Sequence, residues 1–497
     1  MIPTSTTDGV ATILRPGREG ELRAQLTFGV GLVNEPLPLR GVTHLIEHLA
    51  MFGARDTPIE VNADVDLETT NFYAAGSPER VVRFLGDVCT ALGALPLDRL
   101  AIEKGVLEAE GASGCHPIVA ALLSRRYGAR YAGAVLFEGA GVAALTDDQV
   151  RSFADRWYVA ENAVLHLVGT PPDGFSLHLP PGPGPSRDRP AGWLAEGPVM
   201  VAVEDLPDTG AGVLLRLPRD DASHHRGHVI DVLSKRIEDE CRHRDGHTYA
   251  TEVEVVTAVD GIDVVVRADA REGKEVAVAQ AVVQAVHDLA SEGPRPHEVA
   301  RSVAVLQEAW AVDGEDALAQ SRDAIYGVLG VAQAVPGDSA RAQLPDPEEI
   351  RRWFADALST AVFYVPPAAD PGLQQRVRRV GVCEVVAELP EGRVFRPHLL
   401  ARALYCGARA ARLVRAGSGI AEVDEDGIHV VDWDDIAGVA THGDSFALVI
   451  GGNGCGVTVG DDLFRSSNEV LHEVLRRVDA ALVFEAPELR RDSDGDR

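Results

Sequence analysis

Gly41-Val42-Thr43-His44-Leu45-Ile46-Glu47-His48-Leu49-Ala50 carries two histidines four residues apart, with a glutamate beside the second. Read as a helix, the stretch sets His44 and His48 one turn apart on one face, because positions i and i+4 are neighbours on a helical surface. Two imidazoles so placed can grip one metal ion. Zinc takes neutral histidine nitrogens in a tetrahedral site, and a catalytic zinc keeps one position open for water. Glu47 lies next to the pair, where its carboxylate can act on that water as a general base.

A two-histidine grip needs a third ligand. Residues 97–111 read as a helix and offer Glu103, Glu108 and Glu110. Glu103 and Glu110 are two helical turns apart and share a face near Leu107, whereas Glu108 points elsewhere. Two acids on a partly apolar stripe want a cationic partner; a solvated helix with acids at its edge is the other reading.

The motif spells H-x-x-E-H, the inverted zincin signature. With Leu32-Val33-Asn34-Glu35-Pro36 upstream and Met51-Phe52-Gly53 downstream, it resembles the insulinase/pitrilysin family, which includes the mitochondrial processing peptidase and its bacterial relatives. A second helix in that family reads E-[KR]-G-V followed by the third ligand, and Glu103-Lys104-Gly105-Val106 with Glu110 looks like that helix. The resemblance implies zinc held by His44, His48 and Glu110, Glu47 as general base, and Glu103 as an acid orienting a ligand histidine. The interval from His48 to Glu110 is shorter than usual for the family. Leu67-Glu68-Thr69-Thr70-Asn71-Phe72-Tyr73-Ala74-Ala75 is a predicted strand resembling the family's edge strand near the zinc, on which a substrate backbone can pair by strand addition. Asn71 matches that segment as a substrate-binding residue, while Phe72 stands where a small residue is usual.

A second match lies far downstream. In the family, an Arg and a Tyr seven positions apart, just before a strand, face the zinc across a chamber. Arg242 and Tyr249 have that spacing ahead of a strand predicted over 253–256. The implied roles are a guanidinium holding a substrate carbonyl or carboxylate and a phenol donating to the tetrahedral oxyanion. One copy of each feature per chain implies a homodimer in which one protomer's Arg242 and Tyr249 face the other's zinc. A heterodimer with a paralogue is the alternative.

The whole chain sets wider bounds. Its 497 residues, 45% apolar, suffice for several domains with real cores. The sequence has no long uncharged apolar run to span a membrane, and Met1 to Asp8 lack the basic-then-apolar order of a signal peptide. Cys89, Cys115, Cys241, Cys383, Cys406 and Cys455 are scattered without a C-x-x-C pair, which fits buried or free thiols in a reducing cytoplasm. A net charge of −29 argues against nucleic acid as partner.

In chain order, strands are predicted over 11–14 and 21–32, and a β-hairpin is expected to deliver the chain to the zinc helix. Residues 145–157 read as a helix capped by Thr146, followed by a strand over 163–168. A comparable ending recurs at 345–356 with a strand over 361–365, which suggests a duplicated α+β unit. The fold class is therefore α+β: two homologous insulinase-like domains of sheets covered by helices, then a small β-rich, PH-like module. The expected divisions are 1–179 for the zinc-bearing domain, 180–196 for a Pro/Gly linker and 197–367 for the second domain without zinc. A connector over 368–397, the β-rich module over 398–486 and a disordered acidic tail over 487–497 complete the chain. Ser223-His224-His225-Arg226-Gly227-His228 does not spell the motif, and its histidines read as surface residues. The module is read as short strands over 408–459 and a helix over 467–483, suited to docking a protein partner or stabilising a dimer.

The functional expectation is a zinc metalloendopeptidase cleaving unstructured peptides or short polypeptides. The rival readings are a non-catalytic or partner-dependent subunit, and a maturation protease for a peptide natural-product precursor.

Overall fold

Leu22, Ala24, Leu26 and Phe28 bury alternate side chains of one strand, which places that strand inside a sheet rather than at its rim. The computed structural model describes all residues except 1–3, 56–57, 111–114, 138, 185–188, 194–196, 202–209, 219–225, 245, 312–323, 332–345, 368–376, 399–410, 425–426, 444, 462 and 487–497. His224, His225 and the expected tail lie outside the described residues.

The first sheet has six strands: β1 (Thr4–Thr7), β2 (Val10–Arg15), β3 (Leu22–Phe28), β4 (Glu60–Val65), β5 (Thr70–Gly76) and β6 (Ala163–Val168). Their spatial order is β1-β2-β6-β3-β5-β4, with β2 and β6 parallel and the remaining pairs antiparallel. The second sheet holds β7 (Val199–Val201), β8 (Gly210–Pro218), β9 (Thr251–Thr257), β10 (Gly261–Asp269), β11 (Val362–Tyr364) and β12 (Arg378–Val380). Its order is β12-β7-β11-β8-β10-β9, with two parallel pairs: β7 with β11, at the matching place, and β12 with β7 at the edge. Strand for strand, β7 to β11 repeat the order and direction of β2 to β6. The duplication legible in the two similar endings is thus a duplication of topology.

Helices follow the same plan. In the first unit they are α1 (Val42–Gly53), α2 (Pro78–Gly93), α3 (Leu100–Glu110), α4 (Pro117–Tyr127) and α5 (Asp147–Trp157, capped by the Thr146 hydroxyl). In the second, α6 (Arg226–Glu238) and α7 (Glu275–Ser291) occupy the places of α1 and α2. The units interlock through alternation on β8: Val213 and Leu215 join the core under α6 and α7, while Leu214 packs beneath Ile118 and Leu122 of α4 from the first unit. That interface also buries Asp263, which accepts from Arg216 Nε at 2.7 Å and from the Tyr127 hydroxyl, with Arg126 Nε at 3.8 Å. Burying an unpaired carboxylate would cost several kcal/mol, so these partners make the interface specific.

The remaining strands form two four-stranded sheets. One has the order β13 (Gly392–Phe395), β14 (Arg412–Ala416), β15 (Gly419–Val423), β16 (Ile428–Asp432). The other contains β17 (Ile436–His442), β18 (Phe446–Gly451), β19 (Gly456–Gly460) and β20 (Val483–Glu485), ordered β19-β18-β17-β20. This module docks on its own first unit: Ala129 donates to Gly452 O at 3.1 Å, Arg130 pairs with Asp435, and Leu37 joins Ile450 and Phe484. Among the described residues no helix is long and apolar enough to cross a membrane.

Several expected elements differ. No β2–β3 hairpin leads to α1, because β6 inserts between those strands, and residues 32–34 form a 3-10 turn instead of extending the strand. The C-terminal helix stops at Arg477 because Val478 turns extended and the chain returns as β20 beside β17. The expected connector gives β12 to the second sheet and β13 to the third. His228 is not a surface residue: it is buried, its Nδ1 2.9 Å from Ser302 Oγ.

The start of α1 is set by two residues. Gly41 has φ +87°, a left-handed conformation that L side chains resist, and a Cβ there would meet Val142. The buried Glu35 carboxylate then accepts from the Gly41 and Thr43 amides, both at 2.9 Å, and from the Thr43 hydroxyl. A carboxylate at a helix N-terminus satisfies orphan N–H groups and complements the dipole. Glu35→Ala is therefore expected to lower unfolding free energy by about 1–2 kcal/mol in urea titration; an unchanged midpoint would remove Glu35 from this role.

His166 on β6 is fully buried, and neither ring nitrogen has a hydrogen-bond partner among the described residues. Burial, helped by the charge of Arg15, pushes its pKa down to about 4. The unfolded chain takes up this proton near 6.5 while the folded chain does not, so stability falls as pH drops from about 6.5 toward 4 and is flat above. Comparing wild type with His166→Leu across that window should show an acid-side loss of about 3 kcal/mol in wild type alone.

Candidate metal centre

One face of α1 is spent on the core: Leu45, Ile46, Leu49 and Ala50 are fully buried against the first sheet and α2. Each such large side chain contributes about 1.5–3 kcal/mol. The face left over carries His44 and His48, whose ring centroids lie 4.7 Å apart. Across from them runs α3, anchored by Lys104 Nζ, which donates to Ala143 O at 3.0 Å and to Leu145 O.

The two helices bring four groups to a point. Glu110 Oε2 lies 3.5 Å from His48 Nε2 and 3.9 Å from His44 Nε2, and Glu47 Oε2 lies 3.5 Å from His44 Nε2. On the far side of the His48 ring, Nδ1 is 3.6 Å from Glu103 Oε2, while Glu103 Oε1 accepts from Arg99 at 3.1 Å. The sequence-predicted residues His44, Glu47, His48, Glu103 and Glu110 are thus assembled in one place. Donors bonded to zinc at about 2.0–2.2 Å in a tetrahedron stand roughly 3.3–3.6 Å apart; the Glu110–His48 separation falls in that range, the Glu110–His44 one just beyond it, and two imidazoles with a carboxylate suit the ion in chemistry.

The electrostatics agree. Burial, with repulsion from His48, lowers the pKa of His44 against the pull of Glu110, which favours the neutral imidazole that a metal needs. Glu47 is pushed up to about 7, first by burial and then by the charges of Asp64 and Glu110. A carboxyl poised there can both accept and return a proton near neutral pH.

Asn71 does not have the expected setting. Its strand, β5, is paired on both sides by β3 and β4, and Asn71 itself is buried, donating to Asp64 Oδ2 at 2.8 Å and accepting from Thr27 at 2.9 Å. In this setting the side chain holds the sheet together. The sheet edge beside α1 is β4, and the chain turns between it and β5 at residues 66–69. Strict alternation of Val61, Ala63 and Val65 with Asn62, Asp64 and Asp66 is the signal that identifies this strand.

Among the described residues, the contacts of Arg242 and Tyr249 lie within the second unit. Arg242 pairs with Glu238 at 3.4 Å, one turn earlier, and the Tyr249 side chain is 70% exposed. Both lie between α6 and β9, the place in the second unit that the α1–β4 connection holds in the first. On α6 itself, His228 is followed four residues later by Val232, where α1 follows His44 with His48. Among the described residues, α6 carries no second imidazole beside His228.

Comparison of the sequence with protein-family models and with curated proteins gives no match. Solved structures do resemble it. A peptidase M16 inactive domain from Pseudomonas fluorescens superposes with a TM-score of 0.57 at 17% identity, over 73% of this chain and 97% of that one. A protease from Helicobacter pylori gives 0.59 at 13%, over 73% of this chain and 98% of that one. Pitrilysin gives 0.52 at 13%, over 72% of this chain and 44% of that one. At these identities the likeness concerns the fold alone, and the fold of this chain is the two-domain, insulinase-like fold of M16 peptidase structures.

Proposed function

We propose that the chain is a zinc metalloendopeptidase that cuts extended peptides. The observation that carries the reading is the convergence of His44, His48 and Glu110 beside a desolvated Glu47. In this reading His44, His48 and Glu110 hold zinc, and Glu103 orients His48 through Nδ1. Bound there, zinc would supply a Lewis acid that polarises the scissile carbonyl and makes water more acidic. Glu47 takes a proton from the attacking water on its carboxylate and returns it to the leaving amine. The free edge of β4 supports an extended substrate by strand addition. Arg242 and Tyr249, exposed on the second unit, serve a partner protomer's site in a homodimer or a paralogue's in a heterodimer.

A non-catalytic scaffold is the second reading, favoured by one structural neighbour being an inactive M16 domain. A scaffold has no physical need for two imidazoles, a third ligand and a desolvated acid in register.

Glu47→Gln should keep stoichiometric zinc while peptide cleavage, followed by mass spectrometry of a mixed peptide pool, drops at least ~100-fold; equal turnover would eliminate the proposed base. Mixing Glu47→Gln with Tyr249→Phe protein tests the dimer. Shared sites predict partial recovery of activity through heterodimers holding one intact site, and additive residual rates would speak for sites complete within one chain.

A further inference from the structure

A second cluster of metal-ligating groups lies in the C-terminal module. Cys383, His429 and Cys455 bring their donor atoms within 4.8 Å of one another. Cys383 Sγ is 3.2 Å from His429 Nδ1, and the Cys455 thiol donates to Glu384 O at 3.4 Å. The three residues come from three separate pieces of chain. Cys383 belongs to the segment after β12, His429 to β16 in one small sheet, and Cys455 to the turn between β18 and β19 in the other.

The surroundings build the site. Asp424 holds the far nitrogen of the imidazole, its carboxylate 3.1 Å from His429 Nε2, and is itself fixed by the Gly427 amide at 3.0 Å. That contact turns Nδ1 toward the sulfurs, the arrangement by which a carboxylate orients a metal-bound histidine. Asn453 bridges the two sheets beside the cluster: it donates to Val430 O at 2.7 Å and accepts from the Cys455 amide at 3.1 Å. Zinc bonds of about 2.0 Å to nitrogen and 2.3 Å to sulfur require donors roughly 3.3–3.8 Å apart in a tetrahedron, within small side-chain adjustments of the separations here.

We propose that Cys383, Cys455 and His429 form a thiolate–imidazole site for a zinc-class divalent cation, independent of the His44–His48–Glu110 centre. Such an ion ties both small sheets to the segment that joins them to the second unit. It also fixes the turn whose Gly452 carbonyl accepts from Ala129 of the first unit at 3.1 Å. The site is thus a staple between the C-terminal module and the body of the molecule.

Cobalt substitution of the full chain separates the two centres, because sulfur-to-cobalt charge transfer in the near ultraviolet can come only from the thiolate site. The band is expected in wild type and in a His44→Ala/His48→Ala variant, and is expected to vanish in Cys383→Ser/Cys455→Ser. Asp424→Asn should keep the band and weaken cobalt affinity about 10- to 100-fold, as loss of an orienting carboxylate does. Cobalt bound without the band, or a Cys383–Cys455 disulfide found by mass spectrometry in protein purified under non-oxidising conditions, would overturn the site. Unchanged cobalt stoichiometry in the His44→Ala/His48→Ala variant, with the band kept, would leave this proposal standing and sink the peptidase reading's ligand set separately.

Discussion

Everything at the candidate metal centre depends on how α1 divides its surface. Leu45, Ile46, Leu49 and Ala50 commit one face to the first sheet, and that burial leaves His44 and His48 a single direction to point. Because the apolar side is held by several kcal/mol of burial, the polar side can be a partly desolvated, mutually repelling group without unravelling the helix. Glu35 completes the arrangement at the helix start, where it replaces the cap that Gly41 has no side chain to supply.

The duplication sets one frame under two units whose side chains differ. Five strands of each unit share order and direction, with the same helix between corresponding strands and an edge at β4 and at β9. Among the described residues, α6 follows His228 with Val232 four residues on, where α1 follows His44 with His48, and His228 is turned into the core to meet Ser302. A fold of this kind keeps its packing while the chemistry at one corner is gained or lost, so fold likeness to proteases says less about activity than the His44–Glu110 geometry does.

The interlocking of the units is a second constraint. By packing α4 on the outer face of the second sheet, the first unit covers strands whose alternate residues would otherwise lie bare, as Leu214 and Val265 show. The same interface buries Asp263 among Arg216, Arg126 and Tyr127, which sets the register of one unit on the other. The C-terminal module extends this body by docking on the first unit through Ala129, Arg130 and Leu37.

Local chemistry made the centre legible in the amino-acid sequence: i and i+4 histidines must share a helix face, Glu103 and Glu110 must share another, and the Thr146 cap must start a helix. The repeated helix–strand endings likewise disclosed the duplication, because each unit closes its sheet the same way. Tertiary pairing decided the rest. Whether β5 or β4 is the sheet edge depends on which strand the 66–69 turn leaves unpaired, so Asn71 became a sheet-holding residue. β6, distant in sequence, separates β2 from β3, and β20 cuts short the last helix. The meeting of Cys383, His429 and Cys455 had no local signature at all. Their separations in the chain match no ligand spacing, and only the packing of two sheets against the segment after β12 brings them within reach of one ion.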